Sequence, residues 1–325
     1  MLSRVANSLY WAGRYVERCD HTSSFINIHY FASLDTPNKM AQEDEFVLES
    51  LLFIAGDDYQ GKLTEEEVLH HIGFDRKNPM SIINTATQAR INAHGTRHLI
   101  STECWEAFNK FYHLVNSYDP KVFITTGLYD LTTKLNGACS IIREKIIRTL
   151  MHDEVWALLM IGIHLERAFQ IIRLLNTKLY DVGKIQAQNP GLNDLTYEWA
   201  TLLRCAEVYD MSKKYYRKIP NQSQAIEFLI LNTKNPKSLI SNIEKLHSYI
   251  QRLSDKSTLV PGSIEFIIGK FHSYLTYLTI EEIENDTTAF VLNAFEELNK
   301  IGAAFEKDYL FLETVEPTVD ESVSQ

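Results

Sequence analysis

Glycine and proline are scarce in this 325-residue chain, at 13 and 8. That scarcity argues against a turn-rich β fold and in favour of long helices. Cysteine is scarcer still: Cys19, Cys104, Cys139 and Cys205 lie far apart, with no CxxC spacing. Such thiols fit a reducing compartment better than a disulfide framework. The formal net charge of −10 leaves no surplus of basic residues for broad nucleic-acid binding. No uninterrupted run of about 18 apolar residues occurs, so no membrane span is expected. Arg4, Asn7 and Arg14 interrupt the stretch where a signal peptide would need its apolar core. Together these absences lead us to expect a cytoplasmic protein. There is also no G-x-S-x-G elbow, Cys-His signature or dinucleotide-binding glycine pattern, so neither a nucleophile nor a cofactor is visible.

What the chain does contain is a short pattern that occurs twice. Residues 9–23 read LYWAGRYVERCDHTS and residues 155–169 read VWALLMIGIHLERAF. In both, a tryptophan precedes a glycine, and a Glu-Arg pair begins four residues after the glycine. Glu17 and Glu166 are 149 residues apart. A second pattern, Asn78-Pro79-Met80-Ser81-Ile82, returns as Asn235-Pro236-Lys237-Ser238-Leu239 at an offset of 157. Two motifs in the same order at nearly the same offset predict a long-helix bundle built from two related halves, about 1–150 and 151–313. No stretch alternates with period two between turns, so the expected class is all-α. The tail 314–325 is acidic and lacks aromatics, and is expected to be disordered.

Apolar spacing predicts helices over about 2–33, 42–55, 64–72, 102–117, 122–150, 153–181, 194–217, 221–232, 236–254, 262–281 and 283–310. A further helix is expected to open at Asn78-Pro79, with Asn78 as its N-cap and proline in its first turn, and to run towards Leu99. On the first helix, Leu9, Ala12, Val16 and Cys19 form a core stripe. Beside it run Tyr10, Arg14, Glu17 and His21, which make either a solvated charged face or a functional one. On a surface helix, pairs such as Arg14–Glu17 or Glu17–His21 would each contribute only about 0.3–0.5 kcal/mol.

Several patterns suggest chemistry. Gly56 to Leu63 has the G-x-x-x-x-G-K spacing of a phosphate loop, but Leu63 stands where Ser or Thr should bind magnesium, and Asp57 and Asp58 oppose a phosphate. Glu67–His70 and Glu244–His247 have the Glu-x-x-His ligand spacing of a di-iron bundle, in which Glu17 and Glu166 could supply the remaining carboxylates. They do not occupy corresponding places around the two Asn-Pro motifs. His94 and His98 share a helix face but have no evident third zinc ligand. Glu166 is more telling. Its neighbours three and four residues away are Gly162, Ile163, Phe169 and Gln170, with no cation among them. If buried, it needs a partner from another helix, and Arg14, Arg18, Arg90 and Arg97 are the candidates. The two Glu-Arg pairs are then expected to meet, near the Asn-Pro-x-Ser helix starts. Arginine forks and helix N-termini there would suit a carboxylate or phosphate group.

The N-terminal Leu2-Ser3-Arg4-Val5-Ala6, Leu9-Tyr10-Trp11 and Gly13-Arg14-Tyr15-Val16-Glu17-Arg18 resemble the alpha-E family of bacterial all-helical proteins. The likeness continues through residues 78–82, Ala89-Arg90-Ile91-Asn92-Ala93, 101–106, Glu166-Arg167 and residues 235–238, to about residue 312. It departs at Ile163-His164, where the family shows an Arg-aromatic pair, and at Ile91 and His94 around Asn92. The resemblance implies a companion of circularly permuted ATP-grasp ligases, and possibly of transglutaminase-like proteins, in a pathway that forms amide bonds. By position it implies ligand-binding candidates Arg14, Glu17, Arg18, Asn78, Ser81, Arg90, Asn92, Arg97, Glu166 and Arg167, and leaves open whether any is catalytic. The alternatives are a di-iron or di-manganese oxidoreductase using Glu67, His70, Glu244 and His247, and a purely structural adaptor. The favoured reading carries no metal and no cofactor.

Overall fold

The computed structural model describes residues 2–35, 44–55, 64–190, 194–254 and 260–310, and all regular structure among them is helical. The phosphate-loop pattern at 56–63 and the acidic tail lie outside the described residues. In chain order the helices are α1 (Ser3–Asp35), α2 (Asp44–Ala55), α3 (Glu65–Gly73), α4 (Ile82–Gly95) and α5 (Thr102–Asn116). The short α6 (Pro120–Val122) leads through a π-helical turn at Phe123–Gly127 into α7 (Leu128–Thr149) and then α8 (Glu154–Gln188). There follow α9 (Thr196–Cys205), α10 (Tyr209–Tyr216), α11 (Gln222–Ile230), α12 (Leu239–Leu253), α13 (Ile264–Tyr277), α14 (Ile280–Asn285) and α15 (Thr287–Phe305), which ends in a second π turn at Glu306–Leu310.

The long helices α1 and α8 form the axis. From Val155 to Leu165 the sequence of α8 has no acidic or basic residue except His164, and every side chain in that run is buried. A helix apolar on all sides belongs in an interior. By length and composition α8 could cross a membrane, but 94% of its most apolar window is buried against the rest of the fold. Around this axis α4 packs on α1 and α12 on α8; α5 lies on α4 and α7, and α13 on α12 and α15. In the same way α7 covers α1 and α15 covers α8, while α9 reaches over to α1 and α2 to α8. A buried Lys178 on α8 ties α9 in through Glu198 at 2.8 Å, and Asp181 accepts from Ser50 of α2 at 2.7 Å.

Two glycines allow the axis to close. A Cβ on Gly13 would stand 2.3 Å from the Leu159 carbonyl oxygen, and one on Gly162 would stand 2.1 Å from that of Tyr10. Any side chain there meets backbone, so α1 and α8 can approach this closely only with hydrogen at both positions.

The two Asn-Pro segments make matching turns. Asn78 donates to the His71 carbonyl at 3.1 Å and accepts from the Met80 amide at 2.8 Å; Asn235 donates to the Phe228 carbonyl at 2.9 Å and accepts from the Lys237 amide at 3.0 Å. Asn78 is therefore not the N-cap expected of it. Its side chain is consumed by the turn, and Ser81 caps α4 three residues later, as Ser238 caps α12. The predicted helix over 194–217 is two helices. Glu207 adopts φ 57°, with its amide on the Arg204 carbonyl and the Val208 amide on that of Leu203. This is a Schellman termination with glutamate where glycine is usual. The predicted helix at 122–150 is interrupted by the π turn, and the one at 283–310 is broken at Asp286: α14 opens earlier, at a Thr279–Glu282 capping box, and α15 starts afresh with Asp286 as its N-cap.

Candidate functional site

The Glu-Arg pairs meet where α1 crosses α8, and each glutamate takes the arginine of the other pair. Arg18 donates to both oxygens of Glu166, Nε to Oε1 at 2.7 Å and Nη2 to Oε2 at 2.9 Å. Reciprocally, Arg167 donates to both oxygens of Glu17, Nε to Oε1 at 2.6 Å and Nη2 to Oε2 at 2.9 Å. Each is a two-pronged guanidinium–carboxylate pair, the strongest geometry such groups have. The intrahelical Arg14–Glu17 and Glu17–His21 pairs that spacing allows are not made: Arg14 and Glu17 take their partners across the interface, and the His21 ring makes no hydrogen bond among the described residues. The Tyr10, Arg14, Glu17, His21 stripe is no solvated face: Tyr10 and Glu17 are buried.

Glu166 is wholly buried and accepts two further bonds, from Arg14 Nε at 2.8 Å and Gln170 Nε2 at 3.0 Å. Burial alone would raise its carboxyl, but Arg18 and Arg14 outweigh that and hold it well below the usual carboxylate range. Arg14 also donates to the Tyr10 hydroxyl at 3.1 Å and lies over the Trp11 ring at 4.7 Å. The third Arg18 nitrogen reaches the Met80 sulfur at 3.2 Å, which brings the turn before α4 to the site. Two turns along α8 from Glu166 stands Arg173, half-buried, with its guanidinium against the Phe295 ring and, among the described residues, no ion-pair partner. Burial pushes Arg173 down from its ordinary value; Glu166 opposes this, and Arg18 and Arg14 reinforce it. Arg14 and Arg18 thus bind the Glu166 carboxylate directly, and Arg173 stands further along α8, within range of its charge but not bonded to it.

On the other side of the crossing, Glu17 shares Arg143 of α7 with Asp20, at 3.3 and 2.7 Å. Burial raises the Glu17 carboxyl, but Arg167 and Arg143 more than offset it and the net direction is down. Asp20 moves up, because burial outweighs Arg143 and Glu17 repels it. His164, one of the departures from the family pattern, is buried and bonded to Asn242 at 2.7 Å. Burial and Arg167 together push it down to about 3.

The crossing gathers Arg14, Glu17, Arg18, Glu166 and Arg167 and leaves the other candidates elsewhere. Asn78 and Ser81 build the turn and cap described above. Arg90 donates to Asn109 at 2.8 Å and lies over Tyr112, joining α4 to α5. Asn92 bonds back to the Gln88 carbonyl, and Arg97 is exposed beyond the end of α4. Neither arginine bonds to Glu166: Arg90 lies in the second half of α4 and Arg97 past its end, well along the chain from the turn whose Met80 touches Arg18. Sequence reasoning missed Arg143, Asp20 and Arg173. Gln170 was visible as the neighbour four residues from Glu166, but Arg143 and Arg173 lie in no motif and are found only through the packing of α7 and α15.

The carboxylate–histidine ligand set does not assemble. Glu67 is exposed and takes a 2.7 Å bond from the Thr64 hydroxyl at the start of α3. His70 and Glu244 are exposed as well, while His247 lies beside Gln251 at 3.1 Å. His94 and His98 are exposed, with His94 against Trp105. Among the described residues, no group of three or more His, Cys, Asp or Glu side chains is placed to hold a metal ion. The four cysteines are buried and free.

An all-helical chain whose two axial helices exchange Glu-Arg pairs is an ER-motif helical domain. The chain belongs to the Alpha-E family: the family model, described as a predicted alpha-helical domain with a conserved ER motif, matches residues 1–310. No curated protein and no solved structure matches the chain.

Proposed function

We propose that this protein is the anion-binding accessory component of an ATP-grasp-associated pathway that forms amide bonds. The observation that carries the proposal is the surplus of guanidinium groups beside Glu166, where Arg14 and Arg18 bind its carboxylate and Arg173, further along α8, has no ion-pair partner among the described residues. Glu166 fixes the first two, and the donors of Arg173 remain for a carboxylate or phosphate, the groups a guanidinium fork matches best. A cytoplasmic setting, where ATP is at hand, belongs to the same proposal, as does a transglutaminase-like protein as a second partner.

The glutamates serve here by orienting arginines and not by taking protons. A general base working near neutral pH needs a carboxyl raised towards it. The guanidinium groups hold Glu17 and Glu166 in the opposite direction. We also read the two halves as products of a duplication, supported by the reciprocal glutamate–arginine contacts and the matching Asn78 and Asn235 turns.

A tagged wild-type chain recovered from native lysate, with bound proteins identified by mass spectrometry, tests the pathway. Recovery of an ATP-grasp ligase supports it. Repeated recovery of none, from a folded bait, contradicts it. A purely structural adaptor is the reading favoured by the complete burial of Glu166. It predicts that Arg173→Met retains the ligase and full pathway activity.

A further inference from the structure

A second group of polar side chains, separate from the Glu166 cluster, lies on the face of α1 that carries Asp20, His21 and Ser24. Asn136 of α7 donates to the Ser24 hydroxyl at 3.0 Å, and Ser24 in turn donates to Glu207 at 2.8 Å. The other Glu207 oxygen is held by the ammonium of Lys237, from the turn before α12. Four elements therefore close over one stretch of α1: α7, the corner after α9, the turn before α12, and α8 through Arg167 on Glu17.

Within this enclosure several polar atoms have no partner. Asp20 is 6% exposed, and Arg143 satisfies only its Oδ2; Oδ1 is buried and unbonded. The amide oxygen of Asn136 is buried and unbonded, as are both ring nitrogens of His21. A buried acceptor left without a donor is costly, so the Asp20 and Asn136 oxygens, beside neighbouring contacts between α1 and α7, mark a place suited to receive hydrogen-bond donors. The hydrogen-bond chain fixes their character. Ser24 gives its proton to Glu207, so the Asn136 nitrogen must face Ser24 and its oxygen must face inward.

We propose that this enclosure binds a primary ammonium group, its N–H donors directed to Asp20 Oδ1 and the Asn136 carbonyl, with His21 alongside. Charge favours an ammonium over a neutral donor. Asp20 shares Arg143 with Glu17 and is raised from its ordinary value, chiefly by burial, with Glu17 and Glu207 repelling it; a second cation on its free oxygen relieves that. The site uses residues other than the Arg14–Arg18–Arg173 cluster, so its failure leaves the anion reading standing, and the reverse holds as well.

The test is thermal unfolding of the full chain titrated with methylammonium chloride, against tetramethylammonium chloride at matched ionic strength. Tetramethylammonium carries the same charge and no N–H. The expected result is a saturable rise in Tm with methylammonium alone, since a ligand that binds only the native state stabilises it. In Asp20→Asn the half-saturating concentration should rise about tenfold or more, the worth of one charge-assisted hydrogen bond. Asn136→Leu, which removes the second acceptor, is the independent variant should Asp20→Asn fail to fold. Equal responses to the two cations in the wild type, or none to either, would overturn the proposal. So would an unchanged methylammonium response in a folded Asp20→Asn or Asn136→Leu chain, which would assign the enclosure to internal water.

Discussion

Gly13 and Gly162 each face the other's helix backbone, with no room for a methyl group on either side. The same crossing sets the Glu17–Arg167 and Glu166–Arg18 pairs one turn further along. Backbone atoms cannot rotate away, so Gly13→Ala or Gly162→Ala must drive α1 and α8 apart and lengthen every glutamate–arginine bond between them. We expect a loss of about 3 kcal/mol or more for either, at the upper end of overpacking costs. Urea unfolding followed by circular dichroism measures it, and a stability within experimental error of wild type would contradict the close crossing.

Removing one member of the buried network should cost more than removing an exposed pair. Glu166→Ala leaves Arg14 and Arg18 facing each other with no counter-charge, for which we expect a loss of about 3–5 kcal/mol. The exposed Lys110–Glu106 pair on α5 should be nearly neutral, within about 0.5 kcal/mol, when Glu106 is replaced by Ala. Denaturant midpoints of the two variants make the comparison, and similar losses in both would place Glu166 outside the load of the fold.

Acid should destabilise the protein before ordinary carboxylates titrate. Burial pushes His21 down to about 4 and His164 to about 3 from the ordinary 6.5. Below 6.5 the unfolded chain binds protons that the folded chain refuses, so stability falls as pH drops from there towards 4. Glu17 and Glu166, lowered in the fold, extend the loss below the unfolded glutamate range, whereas Asp20, raised, opposes it. Stability at about pH 5 should lie below that at about pH 7.5, and His164→Gln should flatten the slope between them by about one proton. A flat profile over that interval would show that both histidines protonate in the native state.

The Asn-Pro turns are structural by this account. Asn78→Ala and Asn235→Ala each remove two hydrogen bonds to backbone groups and should cost about 1–3 kcal/mol. Neither should alter ligand binding once the loss of stability is allowed for. A selective loss of binding in Asn78→Ala would return that residue to the site.

Much of the fold is legible in the sequence because helical periodicity and the scarcity of glycine and proline are local signals. Glu166 announced its burial by having no cation within one turn, and the arginines that satisfy it were among the few named for it. What stayed hidden has physical reasons. Glu207 ends α9 in a left-handed conformation without the glycine that would have marked it. Asn78 looked like an N-cap because the turn and the cap draw on the same residue types, and only the bond to His71 distinguishes them. Arg173 and Arg143 belong to no motif; their importance arises from helices that pack on them from far along the chain.

The central claim is that the arginine cluster around Glu166 has capacity left for an anion. Calorimetric titration with inorganic phosphate, on wild type and on Arg173→Met, tests it most directly. The account predicts saturable binding to the wild type, weakened about tenfold or more in a folded Arg173→Met chain, a difference of about 1.4 kcal/mol. No saturable binding to the wild type, or the same affinity in both chains, would mean that the cluster is a closed structural lock and holds no ligand.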